Sequence, residues 1–213
     1  MTRKPPRRMT KGRTSNLRLA RSFFGRNDSG GPSGSPVVVG LGNPGRSYER
    51  TRHNAGYLVV EELARRHNGS WRKKKKAEAS DISVGPKNVT LLKPTTFMNL
   101  TGSALAGFRT EDLILVHDDL DLPPGDVRVK VGGGAGGHNG LRSAIQNVGP
   151  EFTRVRIGIG RPPEGSRISV TDFVLGRMDS AVKDALPLAA DAVEAVLDEG
   201  AEAAMNRFNV RSV

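Results

Sequence analysis

The chain has 213 residues and a formal net charge of +11, which allows one good core and excludes a string of domains. It contains no cysteine, so disulfide stapling, a thiolate nucleophile and cysteine-ligated metals are excluded. At 36% hydrophobic residues no run approaches the roughly 20 apolar residues that span a bilayer, and no partner membrane is expected.

The first 35 residues read as a basic, disordered extension. Nine Lys and Arg lie in residues 1–36 against the single acid Asp28, among Ser, Gly and Pro and without apolar periodicity. Three readings fit this arm: a variable tail with an upstream start, an electrostatic nucleic-acid arm, or an organelle transit peptide. A cytoplasmic location is expected, with an organelle as the alternative if the arm is a transit peptide.

From residue 36 to 213 short apolar runs alternate with helical patterns. Strands are expected at Val37–Leu41, Ala79–Val84, Val89–Leu92, Leu113–His117, Val127–Val131 and Arg154–Ile159. The last alternates Val155, Ile157 and Ile159 with Arg154 and Arg156, which predicts one wet face. A helix is expected over Tyr57–Arg66, with Asn54 near its N-cap, another after Asn139, and a C-terminal pair, Ser180–Glu199 and Ala201–Phe208. The pair splits near Gly200 and is disturbed by Pro187. This interleaving predicts an α/β fold: a single three-layer domain, its twisted, mixed, mostly parallel sheet carrying helices on both faces.

The segment Gly40-Leu41-Gly42-Asn43-Pro44-Gly45 satisfies G-x-G-x-x-G, but the dinucleotide mechanism behind that pattern is not met. No apolar helical stripe follows Gly45, and the acids at suitable distance, Glu61 and Glu62, lie inside a helix pattern rather than at a strand end. There is no phosphate-gripping G-x-x-x-x-G-K-[ST] and no G-x-S-x-G elbow.

Polar pairs recur instead at element ends: Asn43 in "GNPG", His53-Asn54 in "RHNAG", Met98-Asn99 in "FMNL", Asp118 in "HDDLD", and His138-Asn139 in "GGHNG". Strand C-termini and helix N-termini are where open α/β sheets gather their sites. Of the four histidines, His67 reads as solvated and His117 as a strand-end packing residue. His53 and His138 precede helix starts, whose positive potential disfavours imidazolium and keeps a neutral base. Asp118, Asp119 and Asp121 read as hydrogen-bonding and turn residues rather than metal ligands. The residues alone describe a hydrolase site with water as nucleophile.

Together these stretches resemble the bacterial-type peptidyl-tRNA hydrolase family. The matching blocks, "VVVGLGNPGRSYERTRHNAG", "LLKPTTFMNLTGSAL", "LILVHDDLDLPPGDVRVKVGGGAGGHNGLRSAIQNVG", "FTRVRIGIGRP" and "VTDFVLGRM", occur in family order over most of Val37–Met178. The resemblance implies a cytoplasmic, monomeric hydrolase that releases peptide from peptidyl-tRNA, with no cofactor and no metal. It implies His53 as the base, Asp118 as its orienting carboxylate and Asn43 as the residue that distinguishes blocked from free aminoacyl ends. Tyr48, Phe97, Asn99 and Asn139 fall at positions that contact the tRNA end or peptide backbone, Met98 lines that pocket and His138 helps build it.

The partner is then the acceptor end and phosphate backbone of peptidyl-tRNA. Arg128, Lys130, Arg154, Arg156 and Arg161, flanking the Gly132–Gly140 loop, are expected to meet its phosphates. The segment between Asn99 and Glu111 is shorter than the family pattern, which implies a truncated helix. Two rivals stand beside this reading: a catalytically silent organellar relative that binds RNA in intron splicing, and a metal-dependent nuclease built on Asp118–Asp121.

Overall fold

The computed structural model describes residues 34–210. Residues 1–33, and with them nearly all of the basic arm, lie outside the described residues.

Seven strands form one sheet in the order β2-β3-β4-β1-β5-β7-β6: β1 Val37–Gly40, β2 Arg72–Lys73, β3 Ala77–Val84, β4 Lys87–Pro94, β5 Leu113–Asp119, β6 Val127–Val131 and β7 Thr153–Gly158. The pairings β4–β1, β1–β5 and β5–β7 are parallel, while β2–β3, β3–β4 and β6–β7 are antiparallel. The expected mixed sheet is therefore parallel only at its centre, because β3–β4 and β6–β7 pair antiparallel at its flanks. The basic run after Trp71 contributes β2 by pairing Arg72 with Ala79 and Lys73 with Glu78.

Strand alternation assigns the two faces. Val38, Ile114, Val116, Val155 and Ile157 pack on one side with α1 (Ala55–Arg66) and α5 (Ser180–Glu199). Val37, Val39, Leu113 and Leu115 pack on the other with α2 (Gly102–Leu105) and α3 (Asn139–Val148). A short α4 (Val170–Val174) and the terminal α6 (Ala201–Phe208) complete the chain. One turn of α2 is all that the short segment after Asn99 accommodates.

Pro187 does not break α5. The helix runs through it on a buried face that includes Ala185, Ala189, Ala192 and Val193, and it ends at Gly200, whose φ is 90°. The packing of that face outweighs the lost N–H.

The contact that positions the site is made by two glycines. A Cβ on Gly40 would meet the Gly56 carbonyl oxygen at 2.3 Å, and one on Gly56 would meet the Val116 carbonyl at 2.2 Å. Bare backbone at both positions lets the start of α1 sit directly on the exits of β1 and β5. Tyr57 covers Gly42 from the same turn and donates its hydroxyl to the Pro94 carbonyl at the end of β4.

Candidate functional site

Because α1 is driven against the strand exits, the 3-10 turn Arg52–Asn54 that leads into it lies beside the end of β1. Asn54, expected as an N-cap, makes no capping bond. Its Oδ1 accepts from the Asn43 backbone N–H at 2.9 Å and its Nδ2 donates to the Asn43 carbonyl at 3.0 Å. Asn43 in turn accepts the Met98 N–H at its own Oδ1, at 2.8 Å. With that oxygen committed, Asn43 presents Nδ2, a donor.

Asp118 ends the buried strand β5 and is itself 2% exposed. Both of its oxygens lie 3.0 Å from His53 Nδ1, and Oδ1 lies 3.1 Å from His138 Nε2. His138 Nδ1 accepts the N–H groups of Gly140 and Leu141, capping α3, so its proton is on Nε2 and points at the carboxylate. Burial favours the neutral acid, but the two imidazoles override it and hold Asp118 well below the usual carboxylate range, ionised.

His53 Nδ1 therefore carries a proton toward Asp118, and the lone pair is left on Nε2, which has no hydrogen-bond partner among the described residues. Burial pulls the His53 pKa down, and the charge and hydrogen bond of Asp118 more than reverse this, leaving it raised. The carboxylate thus outweighs the helix-start potential expected to disfavour imidazolium. His117 donates Nδ1–H to the Asp118 carbonyl and stands edge-on to His138, at 5.1 Å between ring centroids. Its burial and the neighbouring His138 push its pKa down and keep it neutral.

These groups line a cleft of about 720 Å³, which also takes in Phe97, Met98, Asn99 and Asn139. Phe97 is 56% exposed, Asn99 and Asn139 are exposed, and Met98 is buried. Asn139 Oδ1 accepts from Arg142 Nη1 at 2.9 Å, which turns its Nδ2 into the free donor. Lys130, Arg154 and Arg156 lie along one wall together with Gly134–Gly137, and Val170, Thr171, Val174 and Leu175 form another.

Other expected residues lie elsewhere. Tyr48 sits on the turn after Gly45, where its N–H donates to the Gly45 carbonyl, and it does not line the cleft. Arg128 is committed to Asp126 and the Phe208 carbonyl, and Arg161, which does not itself line the cleft, pairs with Asp121 at its edge. His67 is not simply solvated, since its Nε2 lies 3.0 Å from Glu194. The wet face expected of β7 is corrected at Arg154, which is 3% exposed because loop carbonyls accept from both of its Nη atoms.

Asn54 and the α4 wall are not among the site residues expected from the sequence, where Asn54 reads as a cap and His117 as packing. The "HD" pair at a strand exit was the available signal for His117; for Asn54, the competing N-cap role hid it. Asp119 binds Arg156 and the Asp121 N–H, so the three acids do not converge. His53, Asp118 and His138 offer ligand atoms within 4.8 Å of one another. Both rings direct N–H groups at the carboxylate, however, so the donor set is spent internally and does not fit a metal.

No serine or cysteine lines the cleft, and its one oriented base is a histidine held by a buried carboxylate. This α/β fold, with a histidine oriented by a buried carboxylate in its cleft, defines a class of protein equipped for general-base chemistry. Residues 37–213 match the family described as peptidyl-tRNA hydrolase. A peptidyl-tRNA hydrolase of Rubrobacter xylanophilus is 67% identical over 174 residues, covering 82% of this chain and all of that protein. One of Anaeromyxobacter dehalogenans is 45% identical, covering 83% of this chain and 97% of its own length. The crystal structure of the Acinetobacter baumannii peptidyl-tRNA hydrolase superposes with a TM-score of 0.76 at 37% identity, covering 84% of this chain and 96% of that one. The chain belongs to the peptidyl-tRNA hydrolase family.

Proposed function

We propose that the protein hydrolyses the ester joining a peptide's C-terminal carboxyl to the 3′ ribose of tRNA, releasing peptide and free tRNA for reuse in translation. The carrying observation is the His53–Asp118 pair, with protonated Nδ1 on the carboxylate and bare Nε2 on the cleft. Nε2 takes a proton from water as its oxygen attacks the ester carbonyl; a base so placed contributes roughly 10²–10⁴-fold. The tetrahedral intermediate's oxyanion needs a donor held in place beforehand. Asn43 Nδ2 is that donor, because Asn54 grips its backbone and Met98 its Oδ1. As the intermediate collapses, the ribose 3′ oxygen leaves and takes the proton from His53.

Asn99 and Asn139 supply the polar contacts of a peptide backbone, common to every sequence, and Phe97 offers an exposed ring to whatever lies beside the ester. Lys130 and Arg156, which also line the cleft, meet tRNA phosphates. No helix among the described residues is long and apolar enough to cross a membrane, and a monomer working in the cytoplasm fits this role.

The test is release of labelled peptide from peptidyl-tRNA with and without EDTA. Metal-independent release supports this reading. tRNA binding without release supports the silent RNA-binding reading, and EDTA-sensitive cleavage of the RNA chain supports the nuclease.

A further inference from the structure

Arg154 is unusual among the basic residues near the cleft because it is buried and its charge is spent on backbone. Its guanidinium stacks on the Phe152 ring, 4.7 Å from the centroid. Nη1 donates to the Gly134 carbonyl at 2.6 Å and Nη2 to the Gly133 carbonyl. Both acceptors belong to the glycine-rich loop whose residues Gly134–Gly137 line the cleft along with Phe97 and Asn99.

In a trans peptide the N–H points opposite to the carbonyl of the same unit. Two consecutive carbonyls drawn toward one buried guanidinium therefore turn the N–H groups of Gly134 and Ala135 away from it. Among the described residues neither N–H has an acceptor, and both residues line the cleft. Gly133, at φ +100°, sits close against Lys130: a Cβ there would lie 2.8 Å from Nζ. Free, consecutive amides beside an ammonium make a concavity for an anion.

We propose that the loop is a backbone seat for the phosphodiester that precedes the 3′-terminal adenosine of the substrate, and that Arg154 is the positioning residue that holds it open. Arg154 touches no phosphate itself. The seat fixes the terminal nucleotide so that its 3′ ester lies at His53. This inference rests on the proposed function for the identity of the substrate.

The test compares two small esters of N-acetyl-phenylalanine, one on adenosine and one on cytidylyl-adenosine, which carries a single phosphodiester. Arg154→Lys keeps the positive charge and loses the fork that grips two carbonyls. It should raise KM for the cytidylyl-adenosine ester roughly tenfold, leave its kcat unchanged, and leave KM for the adenosine ester unchanged. Equal effects on both esters, or no effect on either, would overturn the proposal. In the wild-type protein, titration with cytidylyl-adenosine should shift the Gly134 and Ala135 amide NMR resonances, and adenosine should not. Absence of those shifts at saturation overturns the seat as well. This arm needs no turnover, so if the wild type hydrolyses neither ester the proposed function fails while the seat is still judged by the titration.

Discussion

Asn54 grips the backbone of Asn43 with both ends of its side-chain amide, accepting from the N–H at 2.9 Å and donating to the carbonyl at 3.0 Å. The residue after His53 thereby sets the position of the Asn43 side chain. Replacing Asn54 with Ala leaves a buried N–H and a buried carbonyl without partners, at a cost of roughly 1–3 kcal/mol in stability. It also frees Asn43 to move, and a displacement near 1 Å can cost about 10²-fold in rate. Urea unfolding and steady-state kinetics on Asn54→Ala should show both effects; unchanged kcat in a folded variant would detach Asn54 from the chemistry.

The His53–Asp118 pair sets a pH dependence with a defined sign. In its proposed role as base His53 needs Nε2 unprotonated, and Asp118 raises the His53 pKa against the pull of burial, so the acid limb of kcat/KM should lie above the ordinary histidine value of about 6.5. Asp118→Asn removes the carboxylate and leaves burial, which moves that limb to lower pH and lowers the plateau by about tenfold or more. An unmoved limb would contradict the pairing. The same raised pKa makes a stability contribution that is present below the ordinary value and lost as pH rises through the raised one.

Gly56 has a purely steric role that stability measurements isolate. A Cβ at this position would meet the Val116 carbonyl oxygen at 2.2 Å and the Leu41 nitrogen at 2.5 Å, both backbone atoms that cannot step aside alone. Gly56→Ala should destabilise by roughly 1–3 kcal/mol or more and lower Tm by several degrees. A variant as stable as the wild type would show that α1 does not need this close approach.

Much of this was legible in the chain because it depends on local pattern. The limits of β6, α5 and α6 match expectation, since each has a clear period and clear end signals, as Gly200 between the two helices shows. His53, Asp118, Asn43, Met98, Asn99 and Asn139 all reach the cleft because each stands at an element end that faces it. What stayed hidden depends on partners distant in sequence. Arg154 alternates with valine as though on a wet face, and only the Gly133 and Gly134 carbonyls explain its burial. β3 and β4 run past their apolar residues because Ala77–Pro94 and Val84–Lys87 complete the ladder. Asn54 looked like a cap because an Asn before a helix usually is one, and its actual partner is 11 residues away.

Asn99 separates binding from folding. Its side chain is exposed in the free protein, so Asn99→Ala should change unfolding free energy by no more than about 0.5 kcal/mol. Loss of the proposed pairing between its amide and the substrate backbone should appear as a KM increase equivalent to roughly 1–3 kcal/mol. A variant with unchanged KM and kcat would place Asn99 outside the substrate path.

The central claim is that His53 Nε2 takes the proton from the attacking water. Its most direct measurement is single-turnover release of labelled peptide from peptidyl-tRNA by His53→Ala, with tRNA affinity measured on the same sample. His53→Ala should lower the rate by roughly 10²–10⁴-fold with affinity nearly unchanged. Release at close to the wild-type rate, from a variant that binds tRNA normally, would contradict it.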